Sequence, residues 1–170
     1  MKKMLLLLTV CVFMASCASM YIKPQIQPTL FEQQVPGGSD IIFKAALKVL
    51  PMLGYNLQGS DASAGTITTA PMKLSINPEQ CDCGTAMGLP LVKSEGVKAD
   101  VSFILAVTDN KLAIKADIAP ELDDVMSTLA AAGITYTCIS KGGLEKMLAD
   151  QFVEKMKTKA LQLLFENIKF

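Results

Sequence analysis

Val97-Lys98-Ala99-Asp100-Val101-Ser102-Phe103-Ile104-Leu105-Ala106-Val107-Thr108-Asp109-Asn110-Lys111-Leu112-Ala113-Ile114-Lys115-Ala116-Asp117-Ile118 is the stretch that decides the fold. Its first half sets Val97, Ala99, Val101, Phe103, Leu105 and Val107 against Lys98, Asp100, Ser102, Ile104, Ala106 and Thr108. A period of two places the apolar set on one face of a strand. Asp109-Asn110 supplies the turn residues of a hairpin. Leu112, Ile114, Ala116 and Ile118 then alternate with Ala113, Lys115 and Asp117. Two antiparallel strands result, each with one apolar face that another layer has to cover.

Covering layers are readable on both sides of the hairpin. Upstream, Ile42, Ala46, Val49 and Leu53 recur at helical spacing, with Phe43, Leu47 and Leu50 beside them. Ser39 is the expected N-cap, Asp40 puts negative charge in the first turn, and Pro51 and Gly54 end the helix. Residues 55–60 read as a strand, 61–65 as a turn and Thr66-Ile67-Thr68-Thr69 as the returning strand. Downstream, Ser140 is placed to cap a helix over 142–167, with Leu144, Leu148, Phe152, Met156, Ala160, Leu163 and Leu164 as its buried stripe. Residues 74–96 form a long irregular connection, of a length usually functional or covalently tied down. Residues 121–132 fit a short helix or a loop, and 134–139 have strand propensity. The order α-β-β, then β-β-(β)-α, predicts an α+β two-layer sandwich. Its antiparallel sheet has about four or five strands, with two main helices on one face.

Composition narrows what such a domain does. The 170 residues suffice for one domain, and 51% apolar against 19% charged residues marks it as globular. The chain contains no His, Arg or Trp. Without His there is no Ser-His or Cys-His nucleophilic pair and no imidazole zinc site. Without Arg there is no bidentate fork for phosphate or carboxylate. Once Lys2 and Lys3 are removed with a leader, about −2 of net charge remains, the opposite of a phosphate-binding footprint. The expectation is a non-enzyme with no cofactor, no metal and no nucleic-acid partner. Most methionines fill core, and Lys155, Lys157 and Lys159 alternate around a helix and serve solubility.

The N-terminus carries an address. Lys2 and Lys3 precede an apolar run of about ten residues, 5–14, the length of a signal-peptide core and too short to span a bilayer. Met14-Ala15-Ser16-Cys17 then resembles the lipobox of bacterial lipoproteins, with Met14 where Leu is more usual; Cys11, behind β-branched Val10, is a poor rival. The resemblance implies cleavage after residue 16 and fatty acylation of Cys17, which becomes the new N-terminus. One acyl chain gives marginal attachment, whereas several make it lasting. Ala18-Ser19, lacking Asp at the second mature position, is similar to lipoproteins sent on to the outer membrane, so the expected location is that membrane's periplasmic face. The expected organisation is a signal peptide over 1–16, an acylated N-terminus and flexible tether over 17–38, and one α+β domain over 39–170. Pro24, Pro28, Pro36, Gly37 and Gly38 support the tether, although Ile22, Ile26, Leu30 and Phe31 are available to pack on the domain.

A helix held in the grip of a curved sheet, behind such a leader, resembles the helix-grip domains of BamC-type lipoproteins. These belong to the outer-membrane protein assembly machinery. The resemblance covers about 39–168 and implies a scaffold role. Cys81, Cys83 and Cys138 lie in the exported part, where disulfides persist. Cys83–Cys138 is the preferred bridge because Gly84 lets the backbone turn beside it; Cys81 is the alternative partner. Two functions follow. The first is a lipid-anchored binding or scaffold module that meets an envelope protein or a small apolar ligand through its open sheet face. The second is a thiol redox or copper-handling lipoprotein using Cys81, Cys83 and Cys138, with Met72 or Met87 as further soft ligands. Glu121, Asp123 and Asp124 form an acidic cluster without calcium-loop spacing, and a solvated surface is the simpler reading.

Overall fold

Alternation in the quoted hairpin becomes the spine of the molecule. A computed structural model describes residues 21–167 apart from 87, 94, 122–126, 128, 129 and 132–134, with side chains as far as Thr158. In chain order the elements are β1 (Tyr21–Ile22), β2 (Phe31–Gln34), α1 (Ser39–Met52), β3 (Leu57–Asp61), β4 (Thr66–Thr69), β5 (Met72–Ile76), β6 (Cys81–Asp82), β7 (Thr85–Ala86), β8 (Leu89–Pro90), β9 (Val97–Thr108), β10 (Lys111–Pro120), β11 (Ile139–Ser140) and α2 (Gly143–Asn167). β9 and β10 pair antiparallel from Thr108↔Lys111 to Ala99↔Pro120. Asp109 turns the chain with φ at 51°, a left-handed conformation that a short polar side chain tolerates.

The main sheet runs β2-β10-β9-β4-β3, with β5 following β4 along the same edge of β9. Ala99, Val101, Phe103 and Leu105 of β9 and Leu112 and Ile114 of β10 are fully buried beneath the helices. Ile42, Ala46, Val49 and Leu50 of α1 and Leu144, Leu148, Ala149 and Phe152 of α2 complete that core. Tyr55 meets Phe103 edge to face with ring centroids 5.5 Å apart, adding a directional contact to area burial. Both helices touch each other and cover one face, α1 over β9 and α2 over β10. The α+β two-layer architecture is as read from the element order.

The β4–β5 edge is broken at Ala70-Pro71, where Pro71 has no N–H to offer the ladder. β4 stops pairing at Thr68↔Ile104 and β5 resumes at Met72↔Val101, which strands the amide of Phe103. The fully buried Thr69 fills the gap: its Oγ1 accepts the Phe103 N–H at 2.9 Å. One hydroxyl thereby satisfies an interior donor that would otherwise be destabilising by about 1–3 kcal/mol.

Several local expectations change. Gly38, in extended backbone and with no side-chain cap bond, is the N-cap of α1, and Ser39 is its first helical residue. The Gly38 carbonyl accepts the N–H groups of Ile41 and Ile42, so the turn through Gly37 (φ 124°) sets the helix start without a side chain. The C-terminus is as expected: Gly54 at φ 90° lets the Tyr55 N–H reach the Leu50 carbonyl and its own N–H reach that of Pro51. The segment read as flexible tether over 17–38 is corrected from Tyr21 onward, because β1 pairs with β7 and β2 is the edge strand beside β10. Its apolar residues outweigh its prolines: Phe31 packs on the core and Val35 is buried. The connection read as irregular over 74–96 contains most of β5 and all of β6, β7 and β8. Most of 121–132 lies outside the described residues, as does residue 134, and of the described residues 135–139 only Ile139 is strand.

Candidate interaction surfaces

A corner built by two short ribbons holds the cysteines. β6 pairs antiparallel with β11 through Cys81↔Ser140 and Asp82↔Ile139. The same register carried one step further sets Cys83 opposite Cys138, and these two form a disulfide with Cα atoms 4.0 Å apart. Register therefore decides between the candidate partners: Cys81 faces Ser140 and has no thiol across from it. The preferred Cys83–Cys138 pairing is present, for this reason and not because of the turn at Gly84.

Gly84 has a different task. Its φ is 80°, and a Cβ there would lie 2.1 Å from the Ile22 carbonyl oxygen. Only glycine lets β1 close on β7 at this point. Tyr21 then reaches the bridge, its hydroxyl donating to the Cys83 carbonyl and accepting the Thr137 N–H, both at 3.2 Å. Its ring stands edge-on to Tyr136 at 5.1 Å. The chain just after the candidate anchor is thus fastened to both sides of the disulfide. Cys17 itself lies outside the described residues.

Cys81 is buried, with its thiol toward the Asn77 carbonyl at 3.7 Å. Burial pushes this thiol up to about 11, with Lys141 pulling the other way. Since the thiolate is the nucleophile and the metal ligand, such a group is poorly suited to exchange or copper binding near neutral pH. Among the described residues, no group of three His, Cys, Asp or Glu side chains is placed to hold a metal ion. Asp123 and Asp124 of the acidic cluster lie outside the described residues, while Glu121 is paired with Lys73 on the surface, which holds its carboxyl below the usual range.

A carboxylate the sequence reading left unmarked joins helix, sheet and corner. Glu145, in the first turn of α2, is fully buried. One oxygen accepts the Ala116 N–H of β10 at 3.0 Å and the other accepts the Ser140 hydroxyl at 2.6 Å. β2 stops pairing at Ile114, so Glu145 occupies the edge of β10 just where strand pairing ends. Ser140 Oγ in turn accepts the Gly142 N–H at 3.2 Å, so it serves the helix start from further back than an N-cap. The spacing of Ser140 and Glu145 was the available signal, but it reads equally well as ordinary helix-start chemistry.

Among the described residues, the sheet face opposite the helices is uncovered, with Ile104, Lys115 and Asp117 exposed on it. Register gives one lateral row Glu32–Ala113–Ala106–Thr66–Asp61 and the next Lys115–Ile104–Thr68–Gly59. Ser102 continues the small centre beside Asp117. Small side chains and the exposed Ile104 therefore occupy the middle, with charges of both signs around them. A separate cavity of about 510 Å³ lies between α1 and the two hairpin turns, lined by Asp40, Phe43, Lys44, Leu47, Ser63 and Thr108 among others. Among the described residues, no helix is long and apolar enough to cross a membrane.

No protein-family model matches the chain, and no curated protein matches it. Among solved structures it is similar to the crystal structure of a TBP-like protein from Parabacteroides distasonis, at 15% identity and a TM-score of 0.34. The match covers 66% of this chain and 64% of that one, just under two thirds of its length. A likeness this loose carries no argument about activity.

Proposed function

We propose that this chain is a non-enzymatic lipoprotein, acylated at Cys17 and held on the periplasmic face of the outer membrane. Its open sheet face binds an envelope protein. The observation that most supports the binding role is the make-up of that face. Ala106, Ala113 and Ser102 form an uncharged centre around the exposed Ile104, while Glu32, Lys115, Asp117 and Asp61 form a charged margin. An uncharged centre with a polar rim is the anatomy of a protein–protein contact. A small apolar ligand needs a concave site that encloses most of its surface, and an open sheet offers less of that than a partner protein does. Lack of His and Arg supports the absence of catalysis.

The thiol-based alternative loses ground because two of its three cysteines are spent on one bridge and the third is buried and protonated. A photo-crosslinking amino acid at Ile104 of the lipoprotein in living cells tests the binding role. A discrete adduct with another envelope protein is expected from position 104 and not from Ser63, which lines the separate cavity. Adducts from Ser63 alone, or from neither position, contradict it.

A further inference from the structure

The ribbon β1-β7-β8 carries an apolar surface that neither the core nor the open sheet face uses. β1 pairs with β7 through Tyr21↔Ala86 and Ile22↔Thr85, and β7 with β8 through Ala86↔Leu89 and Thr85↔Pro90. Cross-strand partners share a face, so one row is Tyr21–Ala86–Leu89 and the other Ile22–Thr85–Pro90. The first row turns inward at Tyr21 and at Ala86, which is 5% exposed, and runs out at the ribbon's free edge, where Leu89 is 70% exposed. The second row faces away from the domain and leaves Ile22 54% exposed. Around the hairpin, Gly84-Thr85-Ala86-Met87-Gly88-Leu89-Pro90-Leu91-Val92 contains no charged residue. Exposed Lys23 and Lys93 follow the two apolar segments in the chain.

Chain length says what this surface meets. Tyr21 is fastened to the Cys83–Cys138 corner, and only Ala18, Ser19 and Met20 separate it from Cys17. Fully extended, that link spans at most about 14 Å at 3.3–3.6 Å per residue. An acyl-bearing Cys17 therefore holds this ribbon, and no distant part of the domain, beside the lipid. We propose that the ribbon is a second membrane contact: Ile22 and Pro90 of the outward row enter the headgroup–acyl boundary of the bilayer that holds the anchor, and Leu89 reaches it from the ribbon's free edge. The proposal rests on acylation at Cys17. Lys23 and Lys93 flank the contact with long stems whose charges reach the phosphate level. The contact fixes the domain's orientation and directs the corner with the disulfide toward the membrane.

The chain has no Trp, so a single introduced indole is an unambiguous reporter. Leu89→Trp is made in the full mature lipoprotein and reconstituted in vesicles of phosphatidylethanolamine and phosphatidylglycerol containing dibrominated acyl chains. Ile104→Trp is the comparison. For an interfacial depth of about 5–10 Å, Leu89→Trp emission shifts to the blue and is quenched at least about twice as strongly as that of Ile104→Trp. Equal quenching at the two positions overturns the proposal, as does a blue shift without bromine quenching, which marks self-association. The intact mass of the same sample separates the two levels. Acyl chains present with no quenching at Leu89→Trp remove only the ribbon contact, whereas a bare Cys17 removes the anchor and the contact together.

Discussion

Replacing Cys83 and Cys138 together by alanine is expected to lower the unfolding free energy by about 4 kcal/mol. The two residues are 55 apart in sequence, and opening that loop restores the conformational freedom that the cross-link removes from the unfolded chain. The effect reaches beyond the bridge. Tyr21 bonds the Cys83 carbonyl and the Thr137 N–H, so loosening the corner also loosens β1. Urea unfolding measures it: the midpoint falls in the double variant, and wild type treated with reductant moves to the same place. If the double variant unfolds at the wild-type midpoint, the bridge does not hold the corner in solution.

Glu145→Ala is expected to destabilise the fold by about 3–5 kcal/mol, because it strands two interior donors and opens a cavity. The Ala116 N–H has no strand beyond it once β2 ends at Ile114, and the Ser140 hydroxyl loses its acceptor at the same time. Glu145→Gln keeps one carbonyl oxygen for Ala116 and costs about 1–2 kcal/mol, since Ser140 then faces an amide donor. The two variants separate a polar clip from mere packing. Hydrogen exchange at Ala116 reads the same contact locally, with protection falling in the alanine variant and surviving in the glutamine variant. Equal loss in both variants contradicts the clip.

The elements legible in the sequence are those whose own residues carry the period. Phe103 and Leu105 alternate against Ser102 and Ile104, and Ile42, Ala46 and Val49 repeat at helical spacing, so each declares its face without help from a neighbour. Phe31-Glu32-Gln33-Gln34 does not, because an edge strand with one face toward solvent needs little apolar character. β2 forms because β10 is long enough to offer it an edge. β5 alternates as Met72, Leu74 and Ile76 but is cut from β4 by Ala70-Pro71, and the Thr69 hydroxyl that spans the break has no sequence mark. The bridge was legible as arithmetic of Cys81, Cys83 and Cys138, yet only the register of β6 on β11 chooses Cys83 over Cys81. Tyr21 and Glu145 act through contacts 62 and 29 residues away, separations that no local pattern reports. The apolar ribbon also depends on three dimensions, since Ile22 and Leu89 share a ribbon only once β7 lies between their strands.

Intact-mass spectrometry of the protein extracted from the cell envelope tests the account most directly. A chain beginning at Cys17 and heavier than its sequence by several fatty acyl groups is the expected result. A chain that retains its leader, or one whose seventeenth residue carries an unmodified thiol, contradicts it and leaves the domain without the short leash on which its placement depends.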